Sequence, residues 1–243
     1  MSKLPKAPLV EIVLELRWKI INKSDLSKVQ YLYGDLYSEL KQKYPHREST
    51  VPTEIPIDIL INQPVHRYRS APNDYPLVQV GPGIITLNTV DSKYYWDTFS
   101  EWAEELIISF LKVYPIDIND KLTPSVLFID FFPFDFEKDD IHKFLNDKFN
   151  ITFGQSFFDS PKYPTNLNLG FFYSLPIGDL SINFQKGKSI NKQDGIILQT
   201  RINGNSLNAN KEEISDWINK SHEICSDLFK KLTEGELYES FKN

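Results

Sequence analysis

Leu9-Val10-Glu11-Ile12-Val13-Leu14-Glu15-Leu16-Arg17-Trp18-Lys19-Ile20-Ile21 is the stretch from which the fold can be read. Successive side chains of an extended chain point to opposite faces. Ile12, Leu14, Leu16 and Trp18 therefore fall on one side, and Glu11, Val13, Glu15, Arg17 and Lys19 on the other. The pattern predicts a long strand whose aliphatic side is hidden and whose ionic side stays wet. Such strands belong to antiparallel sheets with one covered face.

Working outward, a helix is expected after a cap at Ser24 or Asp25, with the stripe Leu26, Val29, Tyr33, Leu36 and Leu40, stopping before Pro45. Short strands are expected near Ile57–Asn62, Val65–Arg69, Leu77–Val80 and Ile84–Thr89. Pro82-Gly83 suits the centre of a type II turn between the last two. A second helix should start near Asp91 or Ser92 and carry Tyr95, Phe99, Trp102, Leu106 and Phe110. The order then restarts. Ser125–Phe136 reads as a strongly apolar strand, and a short helix carries Ile141, Phe144, Leu145 and Phe149. Beyond the Gly/Ser/Pro/Asn-rich stretch Gly154–Asn166, strands are expected near Leu167–Leu175, Leu180–Gln185 and Ile196–Asn203. A closing helix begins near Asn210, where Glu213 resembles the partner in a capping box.

Gly83-Ile84-Ile85 and Gly195-Ile196-Ile197 each open a strand leading into the closing helix of its half. The expectation is an α+β protein of two related strand-helix-strands-helix units, residues 1–117 and 118–243. The sheet is mostly antiparallel, amphipathic helices pack on it, and only the short Pro115–Pro124 segment separates the units. Together they should form one compact body.

Composition bounds the rest. Aromatic residues make up 14% of the chain, with 17 Phe and 12 Tyr against a single Met, which favours a strand-rich core. A net charge of −6 argues against a dedicated nucleic-acid binder. Lys186, Lys188 and Lys192 read as a solvated hairpin tip. With one cysteine, Cys225, neither an intramolecular disulfide nor a cysteine-based zinc site can form. No stretch reaches the roughly 18 apolar residues of a membrane span, and the N-terminus lacks the apolar run of a signal peptide, so a cytoplasmic protein is expected.

Ala7-Pro8-Leu9-Val10-Glu11, Leu77-Val78-Gln79-Val80-Gly81-Pro82-Gly83 with Leu87-Asn88, Tyr95-Trp96, and Trp217, His222-Glu223, Phe229 and Leu232-Thr233 are found together here. In this combination the chain resembles a sporadically distributed family of uncharacterised bacterial proteins. Similar proteins tend to carry an arginine-rich strand in the second half, whereas Ser125–Phe136 has no arginine. The resemblance implies no established activity. Its sporadic occurrence implies a defence or mobile-element context.

Candidate chemistry is sparse. Glu11, Glu15 and Arg17 on the first strand, with Arg67, Arg69 and Arg201 on others, form the one ligand-binding set to consider. Faced into a barrel, carboxylates would hold a divalent metal and arginines would clamp phosphates. That arrangement would resemble the triphosphate tunnel enzymes, whose first strand alternates Glu-x-Glu-x-Lys, but Val13 stands where a third carboxylate would fall. The simpler reading is a solvated charged strand face.

His222-Glu223 lacks a second ligand at Ile218 or Ser226, so His222 reads as a histidine beside the buried stripe that hydrogen-bonds a neighbour. Cys225 reads as core. Tyr94, Tyr95 and Trp96 read as packing before base stacking, and Gly81-Pro82-Gly83 is not a phosphate loop. Asp130, among apolar neighbours, should be paired, with an arginine of another strand the expected partner. No catalytic residue, metal ligand or cofactor is assigned. The expected role is a non-catalytic protein-interaction module whose partner is another protein, possible homo-oligomers included. The alternative is a metal-dependent phosphohydrolase or nucleotide-binding protein using the charged strand face.

Overall fold

The computed structural model describes residues 3–52, 54–114, 121–153 and 164–242. Most of Gly154–Asn166 and part of Pro115–Pro124 lie outside them. The first strand, β1, runs Leu9–Trp18, and its faces divide as the alternation predicts: Ile12, Leu14, Leu16 and Trp18 are buried, while Glu11, Val13, Glu15 and Arg17 are only partly so. Helix α1 spans Lys23–Leu40. Its cap is Asn22, in a reciprocal capping box with Asp25, rather than Ser24 or Asp25 itself.

Strand β2, His46–Ser49, was not expected, and Ile57–Leu60 is a 3-10 turn rather than a strand. Strands β3 (His66–Arg69), β4 (Leu77–Gly81) and β5 (Ile84–Val90) follow as expected. The β4–β5 turn needs Gly83, which has φ of 80° and whose added Cβ would sit 2.9 Å from the Trp18 carbonyl oxygen. Asp91–Lys93 forms a 3-10 turn, so helix α2 starts later than expected and spans Trp96–Val113. Its buried stripe is Phe99, Ala103, Leu106, Ile107 and Phe110, while Tyr95 is exposed.

The second half contains β6 (Lys121–Pro133), α3 (Ile141–Phe149), β7 (Asn168–Leu175), β8 (Gly178–Lys188), β9 (Asp194–Gly204) and the two-residue β10 (Leu207–Asn208). It closes with α4 (Lys211–Leu232) and α5 (Glu236–Ser240). Asn210 caps α4 by accepting from the Glu213 amide, while the Glu213 carboxylate turns back to Asn208.

The strands make one antiparallel sheet in the order β2-β3-β4-β5-β1-β6-β9-β8-β7, with β10 beside β6. From the β1–β6 seam the order reads alike in both directions: β5, β4, β3 on one side and β9, β8, β7 on the other. Gly83-Ile84-Ile85 and Gly195-Ile196-Ile197 stand at the entries of β5 and β9, the strands flanking that seam. The architecture is therefore α+β with a mostly antiparallel sheet.

Cross-strand register decides which side chains share a face. Ile12 opposes Thr89 and Phe128, Leu14 opposes Leu87 and Val126, and Val126 in turn opposes Ile202. These residues face the helices. Packing of Trp18 on Phe110, Phe132 on Phe149, and Phe149 on Phe184 brings α2 and α3 onto that face, and Phe132 on Phe241 seats the chain end there too. Among the described residues no helix is long and apolar enough to cross a membrane.

Candidate functional site

The register places Glu11, Glu15, Arg17, Arg67 and Arg201 on the other face, which the helices leave open. One row across it is polar at every strand on the sheet path. It runs Glu48–Arg67–Gln79–Thr86–Glu15, then Ser125–Asn203–Asp179–Ser174.

The groups in and beside this row bond one another, with the buried Arg69 Nε left without a hydrogen bond among the described residues. Arg17 Nε meets Glu15 Oε1 at 2.6 Å, and Arg67 Nε donates to Gln79 Oε1 at 3.0 Å. Thr86 and Asn88 are hydrogen-bonded, and Asn88 Nδ2 donates to Glu11 Oε1 at 2.8 Å. Arg201 Nη1 donates to Ser125 Oγ at 3.1 Å. Arg69 lies 3.5 Å from Glu48 and donates to the Asp74 carbonyl oxygen.

The expected ligand set thus shares a face but not a pocket. Arg67 is three strand spacings from Glu15, about 14 Å, and Arg201 two, about 10 Å on the other side. None of the six residues lines the cavity described next. Among the described residues no group of three His, Cys, Asp or Glu side chains could hold a metal ion.

The cavity lies on the opposite, helix-covered side of the sheet and measures about 650 Å³, within the size range of small-molecule sites. Its floor is sheet. Phe128 and Asp130 share a face of β6, and Thr200 sits opposite Phe128 on β9. Three elements build its walls. From α4 come His222, Cys225 and Phe229; from the turn before α2 and the first residue of that helix come Asp91, Tyr94 and Trp96. The third wall is the segment Lys3–Pro8, whose Lys6 amide donates to the Phe241 carbonyl and whose Pro8 carbonyl accepts from the Phe131 amide. Lys230, Tyr238 and Lys242 stand at the rim.

Asp130 is 5% exposed, and its carboxyl has no hydrogen bond or ion pair among the described residues. The arginine partner expected for it does not exist: Asp130 opposes Leu198, while Arg201 opposes Leu127 on the far face of the sheet. Burial, and next to it the negative charge of Asp91, push its carboxyl up to about 7.

His222 also differs from expectation. Its ring stacks on Trp96, with centroids 3.6 Å apart and planes 5° from parallel, and its nitrogens have no hydrogen-bond partner among the described residues. Burial, and then the Lys230 ammonium, hold it down to about 4, so it is neutral at neutral pH. Cys225 is buried as expected, and burial pushes its thiol up to about 12, which makes it a poor nucleophile. The buried Thr200 hydroxyl likewise has no hydrogen-bond partner among the described residues. A carboxyl, a neutral imidazole and a hydroxyl therefore line an apolar, aromatic cavity without bonding to any of the described residues.

Sequence reasoning singled out Asp130 and His222 separately but had no signal bringing them together; Thr200 it missed. Comparison of the chain with protein-family models, curated proteins and solved structures gave no match.

Proposed function

We propose that this protein binds a small organic molecule in the cavity between the β6–β9 floor and α4, without performing catalysis on it. The observation that carries the reading is Asp130, a carboxyl 5% exposed that lines the cavity with no protein partner among the described residues. Buried polar groups are almost always hydrogen-bonded, and the exceptions need an explanation. A ligand supplies one. The inert Cys225 thiol favours binding over chemistry.

The test is to purify the protein under native conditions, denature it and identify released small molecules by mass spectrometry, in parallel with Thr200→Phe, which fills the floor. A molecule present in near-stoichiometric amount and lost from the variant supports the reading. A wild-type protein whose thermal stability responds to no small-molecule fraction, and which releases nothing, overturns it.

A second reading, docking of another protein, rests on β7. This strand forms one edge of the sheet path, and Phe172 and Tyr173 on it are 75% and 51% exposed. An edge strand with exposed aromatics can accept an added strand from a partner. The cytoplasmic setting and the resemblance to the sporadic bacterial family belong to the same proposal, supported by the sequence features that suggested them.

A further inference from the structure

We infer that the cavity selects an organic cation, a small amine with an apolar or aromatic body, whose ammonium group pairs with Asp130. The inference rests on the ligand-binding reading and adds the chemical class.

It follows from the charges around the chamber. Three lysines line it, and each already faces a carboxylate. Lys3 Nζ lies 3.2 Å from Asp91 Oδ1 and also donates to the Asp91 carbonyl oxygen. Lys230 Nζ is 3.1 Å from Asp227, and Lys242 Nζ 2.6 Å from Glu239. Asp130 is the cavity-lining acid left without a counter-ion among the described residues. A buried carboxylate is stable only when paired; with no cation beside it among the described residues Asp130 holds its proton up to about 7, and a positive group brought by a guest would let it ionise.

The walls suit such a guest. Ammonium groups already sit over two cavity-lining rings: Lys3 Nζ is 5.5 Å from the centroid of Tyr95, and Lys242 Nζ is 4.8 Å from that of Tyr238. Aromatic faces attract cations in this way, and Tyr94, Phe128 and Phe229 offer further apolar surface for the body of the molecule. An anionic guest would meet Asp130 head-on and find each lining lysine already engaged.

The experiment is titration calorimetry on the full chain with three isosteric probes: 2-phenylethylammonium, 2-phenylethanol and phenylacetate. The ammonium is expected to bind at least about tenfold more tightly than the alcohol, the factor a single favourable charge contact of ~1.4 kcal/mol supplies, and phenylacetate is expected not to bind. In Asp130→Asn the preference for ammonium over alcohol should vanish while the weak alcohol affinity persists. The probe comparison on the wild-type chain needs no variant, so it stands even if Asp130→Asn fails to fold. Equal affinity for ammonium and alcohol, or preference for phenylacetate, overturns the cation class and leaves the ligand-binding reading in place. No binding by any probe also overturns the cation class, whereas the ligand-binding reading falls only with the release assay above.

Discussion

The two faces of this sheet use polar residues in opposite ways. On the open face Glu11, Glu15, Arg17, Arg67, Gln79, Thr86, Asn88, Ser125 and Arg201 form hydrogen bonds and ion pairs with one another, along and across neighbouring strands. On the helix-covered face Asp130, Thr200 and His222 are far fewer, and their side chains are unbonded to protein among the described residues. A mutually satisfied polar row is what an antiparallel sheet requires of a face that no helix covers. An unsatisfied polar cluster beneath helices is costly, and the fold gains nothing from it. The better-populated face is thus the structural one, and the sparse one is the candidate site.

The largest expected effect separates the faces by pH. Asp130 is held up to about 7, so between about pH 4 and 7 the folded chain keeps a proton that the unfolded chain has released. Its contribution makes stability fall as pH rises through that window, by on the order of 4 kcal/mol in total. His222 is held down to about 4, so on acidification from about 6.5 the unfolded chain takes up a proton that the folded chain refuses. Its contribution makes stability fall as pH drops, by on the order of 3 kcal/mol. The two slopes oppose each other in the shared window. Urea unfolding at several pH values should show a shallow profile for the wild type, a profile rising with pH for Asp130→Asn, and one falling with pH for His222→Phe, which keeps a ring against Trp96. Parallel profiles for all three would erase the distinction between the faces.

A middle-sized effect is expected on the open face. Asn88 is 6% exposed and links Glu11, Gln79 and Thr86. Asn88→Ala strands the partners it served and should cost about 1–3 kcal/mol, read as a lower midpoint in denaturant. Because the row lies on the opposite side of the sheet, the loss should be nearly independent of pH between 4 and 7, and affinity for 2-phenylethylammonium should stay unchanged. An Asn88→Ala chain of normal stability would mean that the row is merely solvated rather than mutually satisfied.

How much of this was legible follows from particular residues. The two faces of β1 could be assigned because polar and apolar residues alternate along it, and period two is a strong signal. Asp130 could be marked as anomalous, but its face could not be assigned. Val126 to Phe132 is nearly continuous apolar sequence, so nothing showed which neighbours Asp130 shares, and Arg201, on the adjacent strand β9, faces the other side of the sheet. Ile57–Asn62 was expected as a strand, yet Pro56 and Pro64 bracket it and Ile57–Leu60 turns as a 3-10 helix. His46–Ser49 carries no aliphatic residue, and it is a strand only because His66–Arg69 pairs with it. The cavity itself needs residues 3–9, the start of α2, the β6–β9 floor and α4 to converge. Contacts that distant in sequence leave no local periodicity.

The smallest expected effect tests the comparison at its most tempting point. Glu15 and Arg17 form the most conspicuous ion pair on β1, at 2.6 Å, and were the centre of the expected ligand set. Arg17 is 42% exposed, and the pair lies two residues apart on one strand. Water screens the attraction, and holding the long Arg17 side chain in place opposes it, so Arg17→Ala should change stability by no more than about 0–1 kcal/mol, shrinking further in salt. Its amine affinity should equal that of the wild type, because β1 presents Arg17 away from the side on which Asp130 lies. A chain in which Arg17→Ala weakened 2-phenylethylammonium binding as much as Asp130→Asn would place the site on the open face after all. Satisfied hydrogen bonding would then no longer distinguish a structural polar row from a functional one in this sheet.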